Sequence, residues 1–217
     1  YSYSVPYSYF PTRVELWDKT GNLVKQLVDL PLRERVPINF DAVLPGPRFY
    51  SWRSDAPATV SWVEAQDNGD PLQKAEVRDK VFTLAAPFNG EPSNIASLAY
   101  RYDGMSWSDK GFALVSESWN KTRSTRTWLV NTNQTGSPAK LLFDYSSEDR
   151  YADPGNPVFK RSDLGTNIMM TANDGKSIYL IGAGASTEGD RPFLDKLNLE
   201  TGKTERLWRS EAPYYEF

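Results

Sequence analysis

Three times the chain repeats one unit: a run of β-prone residues, a Ser-Asp or Asn-Asp turn, and a second such run. The turns are Ser54-Asp55, Ser108-Asp109 and Asn173-Asp174. Residues 48–53, 102–107 and 167–172 precede them, and 59–65, 112–118 and 177–182 follow. A period of tens of residues marks stacked supersecondary units, since one such unit cannot bury its apolar face alone. The runs are short, rich in Val, Ile, Tyr, Phe and Trp, and punctuated by Gly and Pro, which makes the units strands rather than helices. The expectation is a β-propeller, of which this chain carries a part.

Two hairpins extend the pattern. Residues 13–17 alternate in polarity, Asp18-Lys19-Thr20-Gly21 turns, and 23–30 return. Near the other end, Glu200-Thr201-Gly202-Lys203 joins 192–199 to 204–210 in the same way. Gly supplies the positive φ that such turns need. Together the patterns give blades of four antiparallel strands, A to D from a central axis outward. Residues 1–47 form a half blade carrying C and D. Blade 48–101 has strands at 48–53, 59–65, 80–86 and 94–101, and blade 102–166 at 102–107, 112–118, 127–131 and 139–145. Blade 167–217 has them at 167–172, 177–182, 192–199 and 204–210. Asp55 and Asp109 are 54 positions apart, Asp109 and Asp174 65. Both exceed the usual repeat of about 40–50 residues, so insertions must sit in loops. The expected fold class is all-β, a propeller segment of about three and a half four-stranded antiparallel blades, and hence a fragment of a larger ring.

Two residue types are missing. Among the 217 residues there is no cysteine and no histidine. Disulfides, thiolate metal sites and cysteine nucleophiles are thereby excluded, as is a Ser-His-Asp triad within the chain. The net charge of -3 comes from 25 basic and 28 acidic residues that are well mixed. That balance argues against nucleic acid or an anionic membrane as a partner. No apolar run reaches the roughly 18 residues of a spanning helix. Tyr1-Ser2-Tyr3-Ser4 lacks the basic and apolar regions of a signal peptide.

In an A-to-D meander, the A–B and C–D turns emerge on one face and the B–C and D–A connections on the other. The latter, at 31–47, 66–79, 119–126, 146–166 and 183–191, read as long and charged, and loops on a rigid scaffold are where binding resides. Arg78, Arg123 and Arg126 are the candidate substrate- or partner-binding residues there, able to grip carboxylates bidentately. Their structural alternative is ion pairing with Asp79, Glu117 or a neighbouring blade. No catalytic residue, metal site or cofactor is expected. Asp67-Asn68-Gly69-Asp70, and Ser147-Glu148-Asp149 with Asp153, cluster oxygens but lack the spacing of a calcium loop, so they read as turns. Gly182-Ala183-Gly184-Ala185-Ser186 opens no helix and so reads as a flexible loop rather than a phosphate cradle. Asn120-Lys121-Thr122 and Asn133-Gln134-Thr135 match the glycosylation acceptor pattern, which chance supplies often. Trp52, Trp62, Trp107, Trp119 and Trp128 read as packing between blades rather than as sugar platforms.

The stretch from Ser61-Trp62-Val63-Glu64-Ala65 through Gln66-Asp67-Asn68-Gly69-Asp70-Pro71, with Arg78-Asp79-Lys80-Val81 and Ala86-Pro87-Phe88, resembles a known family. So do Trp107-Ser108-Asp109, Glu117-Ser118-Trp119 and Arg126-Thr127-Trp128. It is similar to the β-propeller of prolyl oligopeptidase-type serine peptidases, in the branch containing glutamyl endopeptidases. The resemblance implies a propeller that covers an α/β-hydrolase domain and restricts peptide access to it. No Gly-x-Ser-x-Gly motif is present, so no catalytic residue carries over. The partners so implied are a peptide substrate and the hydrolase domain. Self-association through open strand edges is a further expectation. A stand-alone scaffold binding proteins or peptides is the alternative. A lyase or glycosidase using Asp55 and Asp109 ranks below both, because those residues suit A–B turns.

Overall fold

The computed structural model describes residues 6–34, 36–134 and 136–214. The N-terminal Tyr1–Ser4 stretch and Thr135 of the second acceptor pattern lie outside them. Every regular element among the described residues is a β-strand, apart from single 3-10 turns at Tyr7–Tyr9 and Asn120–Thr122.

The chain opens with an antiparallel hairpin of β1 (Thr12–Trp17) and β2 (Leu23–Leu30). Asp18 builds its turn: one carboxylate oxygen accepts the Thr20 and Asn22 N–H groups at 2.8 and 3.0 Å and the Thr20 hydroxyl at 2.6 Å. The Thr20 hydroxyl and the Asn22 groups hold the Asp18 carboxyl well below the ordinary carboxylate range. Gly21 takes φ 86°, open to glycine at little cost.

A four-stranded antiparallel sheet follows in the order β3 (Pro47–Trp52), β4 (Thr59–Ala65), β5 (Asp79–Ala85) and β6 (Ser93–Leu98). The next sheet repeats it with β7 (Arg101–Trp107), β8 (Phe112–Trp119), β9 (Ser124–Asn131) and β10 (Lys140–Ser146). The strand expected to begin at residue 102 begins at Arg101, and β9 starts three residues before the expected 127. The connection expected as a long loop at 119–126 is in fact one 3-10 turn, and it leaves Arg126 within β9. Arg123 closes that turn at φ 55°.

The last sheet departs from the expected plan. β15 (Ser177–Gly182), β16 (Phe193–Asn198) and β17 (Thr204–Arg209) form a meander as anticipated. Its inner strand is composite: β14 (Thr171–Ala172) pairs with one end of β15, and β11 (Asn156–Pro157) with the other. Between them, β12 (Phe159–Arg161) pairs with β13 (Asn167–Met169) as a small hairpin of its own. The single strand expected at 167–172 is therefore divided, and part of the 146–166 segment is strand rather than loop. The cause lies in backbone hydrogen bonding: Val158 N–H reaches Tyr179 O at 3.0 Å, and Met170 N–H reaches Val158 O at 2.7 Å.

Packing runs in series. Leu16 and Leu27 of the hairpin meet Val60, Trp62 and Leu84 of the first sheet. The opposite face of that sheet, with Val63, Val81, Ile95 and Leu98, meets Ala113, Val115 and Val130 of the second. The far face of the second, with Leu114 and Leu129, meets Met169, Ile178, Leu180 and Leu197. Strand alternation explains this directly, since successive side chains point to opposite faces and the first and second sheets are apolar on both.

Hydrogen bonds sort the connections into two groups. Val43 N–H bonds Gly69 O, Ser147 N–H bonds Arg123 O, and Asn120 N–H bonds the Asp41 carboxylate at 2.9 Å, joining the loops at one end. At the other end the Ser-Asp and Asn-Asp turns meet, with Lys110 on Asp174 at 2.9 Å and Lys160 on Asp109 at 3.1 Å. Thr166, in the turn between β12 and β13, donates there to the carbonyl of Ser54, two residues past β3, at 2.6 Å.

Candidate functional site

Charge is buried at the loop end, between the first and second sheets. Asp67 follows β4 by two residues, Asp79 opens β5, and Arg101 opens β7; all three are buried. Arg101 grips Asp67 bidentately at 2.9 and 2.8 Å, reaches Asp79 at 3.2 Å, and donates Nε–H to the Asp41 carbonyl at 2.7 Å. Asp67 also accepts Arg78 at 2.7 Å and its own loop's Gly69 N–H at 3.1 Å. Asp79 further accepts the Tyr102 N–H at 2.8 Å and the Nη2 of Arg48. Planar guanidiniums suit such shared, multidentate pairing better than an ammonium would. The Asp67-Asn68-Gly69-Asp70 stretch is thus a turn whose first carboxylate serves arginines.

Beside this network a layered stack runs along the same interface. Arg78 lies 4.3 Å over the Trp119 ring, Trp119 stacks on Tyr100 at 6.1 Å, and Arg126 lies 4.4 Å over Tyr100. Glu117, fully buried, accepts the Tyr100 N–H at 2.7 Å and the Trp128 indole N–H at 2.8 Å. Each cation over a ring adds an attraction that grows as water is excluded.

The three arginines singled out from sequence fall in different settings. Arg78 is committed to Asp67, Gln73 O and Trp119. Arg126 holds Asp144 at 3.0 Å, lies 4.0 Å from Glu117, and stacks on Tyr100. Arg123 stands apart, half exposed, its partner Glu148 at 3.2 Å. Arg78 and Arg126 bracket one stack, whereas Arg123 does not join it. Arg48, Arg101 and Asp41 complete the network without having been anticipated. A signal was present in β5 and β8: Asp79 shares the buried alternation of Val81 and Thr83, and Glu117 that of Ala113 and Val115. A charge on the apolar parity of a strand announces a buried partner.

Between the second and third sheets, at the same level, the interface opens into a cavity of about 300 Å³. Ser106, Ser116, Thr125 and Thr127 line it with Tyr145 and Asn156. Burial, then Asp153 and Asp103, push the Tyr145 phenol up. Asp149 and Asp153 cap local turns, bonding the N–H groups of Tyr151 and Gly155 at 3.1 and 2.9 Å.

The glycine-rich 182–186 segment is a packing device. A Cβ at Gly182 would stand 2.7 Å from the Phe193 ring, and one at Gly184, φ 63°, 2.0 Å from Arg191 O. Asp55 and Asp109, weighed as an acid pair, are held by Arg53 at 2.8 Å and Lys160 at 3.1 Å. Trp62 and Trp107 lie in the cores, Trp128 packs against the core that holds Trp107, Trp119 lies in the stack, and Trp52 is exposed. Among the described residues no group of three His, Cys, Asp or Glu is arranged to hold a metal ion. Among the described residues no helix is long and apolar enough to cross a membrane.

No protein-family model matches the chain. A rice protein (Oryza sativa subsp. japonica) called probable glutamyl endopeptidase, chloroplastic, is 45% identical over 222 residues, covering 100% of this chain and 24% of the relative. An Arabidopsis thaliana protein of the same name is 42% identical over 221 residues, 99% of this chain and 23% of the relative. The chain therefore spans about a quarter of the length of these curated relatives. A solved oligogalacturonate lyase in complex with manganese covers 92% of this chain and 42% of its own, at 14% identity and a TM-score of 0.40, too distant to bear on fold or chemistry.

Proposed function

We propose that the chain is the non-catalytic β-propeller portion of a serine-type peptidase of the prolyl oligopeptidase family, glutamyl endopeptidase-like. The observation that carries this is the match along its whole length to relatives so named, each about four times longer. Two four-stranded sheets and a third whose first strand is made up of β11 and β14, packed in series after a two-stranded hairpin, support a ring of blades with units at 48–101, 102–166 and 167–217 after a half blade at 1–47. The chain holds no histidine, so the triad belongs to an α/β-hydrolase domain elsewhere in the longer protein. This region packs on that domain and admits peptides while excluding folded proteins. The loop end, with its buried arginine network, is the face that meets domain and peptide.

The test compares the chain alone, the longer protein, and the longer protein lacking these residues. Each is assayed on a fluorogenic Glu-containing peptide and on a folded protein. The chain alone should hydrolyse neither; turnover by it would overturn the non-catalytic assignment. Removing the region should admit the folded protein, and unchanged size discrimination would refute gating.

A further inference from the structure

We infer that Arg48 is a receptor for an external carboxylate, covered by Phe49. Three guanidiniums, of Arg48, Arg78 and Arg101, share the two carboxylates of Asp67 and Asp79. Arg101 uses its donors on Asp67, Asp79 and two backbone carbonyls. Arg78 uses Nη1 on Asp67 and Gln73 O. Arg48 gives only Nη2 to Asp79, while its Nε and Nη1 are buried without any hydrogen-bond partner. Its side chain is 11% exposed. Buried N–H groups without acceptors are costly, and arginine does not escape by losing its proton. The missing member is an acceptor. Because guanidiniums outnumber the carboxylates they share, an anion answers the deficit better than a neutral oxygen does.

The neighbouring residue has the form of a movable cover. Phe49 sits at φ 57°, where a register shift interrupts the pairing of β3 with β4. That conformation is rare for a bulky side chain, and strain of this kind gathers at functional sites. The residue is 62% exposed; its ring lies 5.4 Å from the Arg48 guanidinium carbon and tilts against Tyr102 at 5.8 Å. It holds the cation by a ring contact that a carboxylate would outcompete. β3 is the first strand of its sheet, with one edge free of sheet partners among the described residues, and that is the side from which a peptide would approach. Assigning the carboxylate to an acidic peptide rests on the function proposed above; the site itself rests on the network.

The test follows the Arg48 Nε–H signal in ¹⁵N spectra of the chain during titration with sodium acetate, acetyl-Ala-Glu-Ala-amide and acetyl-Ala-Gln-Ala-amide. Acetate and the Glu peptide should shift that signal, and the Gln peptide should bind about tenfold more weakly or not at all. Arg48→Lys should lose this preference. Phe49→Gly, which adopts φ 57° freely, should tighten binding of the Glu peptide. A response to acetate without one to the peptide would keep the carboxylate site and refute its assignment to a peptide, pointing to another part of the longer protein. Equal binding of the Glu and Gln peptides would overturn the inference, as would an unmoved signal with every probe in both the native chain and Phe49→Gly.

Discussion

Ser116 and Glu117 are adjacent on β8 and meet opposite worlds. Glu117 turns toward the first sheet, where a backbone N–H, an indole and Arg126 surround its carboxylate. Ser116 turns toward the third sheet and lines the cavity, its hydroxyl 3.3 Å from that of Thr127. One pleat separates an interface filled with paired charge and stacked rings from one that keeps room. The strand geometry is the same on both sides, so the side chains alone decide which interface is locked. Small hydroxyl residues on β8 and β9 face Gly155 and Asn156, too short to fill the gap.

The largest effect that would test this contrast is Arg101→Leu. It leaves Asp67 and Asp79 with one arginine each in a buried site, and should cost about 3–5 kcal/mol in urea unfolding. A loss under about 1 kcal/mol would mean that water already satisfies the network. Glu117→Gln should cost roughly 1–3 kcal/mol, since one amide oxygen cannot replace two carboxylate oxygens toward Tyr100 N–H and Trp128. Ser116→Ala, one residue away, should change stability by no more than about 0.5 kcal/mol. If the two neighbouring variants cost the same in thermal melts, the distinction between the interfaces fails.

The smallest effect is a matter of pH. Burial, then the nearby Asp103, pushes the Tyr102 phenol up to about 12 from an ordinary 10.0. The folded phenol keeps its proton longer than the unfolded one. Its contribution is therefore complete below pH 10.0 and lost as pH rises through about 12. Ultraviolet difference titration against Tyr102→Phe should locate that ionisation, and a midpoint near 10.0 would show the interface to be wetter than described.

The strand order was legible because local chemistry writes it. The turns carry local bonds of their own, as when Ser108 bonds Phe112 O at 2.9 Å and Arg53 holds Asp55 at 2.8 Å. Alternating runs around such turns leave little freedom of assignment. The composite inner strand of the last sheet was not legible, since Pro154, Gly155 and Pro157 carry the composition of a loop. Two paired residues at Asn156–Pro157 make too short a run to register as a period. The arginine network was half legible. Arg78 and the 67–70 turn stood out, but Arg101 meets Asp67 across 34 positions and no local pattern encodes such a pairing. What the chain did show was charge on a buried parity, at Asp79 and Glu117.

The bond from Thr166 to the Ser54 carbonyl joins residues 112 positions apart and bypasses the second sheet altogether. Sheets packed only against their neighbours would let small errors in each crossing angle add up along the row, as in a stack of loosely bolted plates. A bond across one end of that row ties the turn after β3 to the β12–β13 hairpin, and so limits how far the first sheet can swing from the segment that leads into the third.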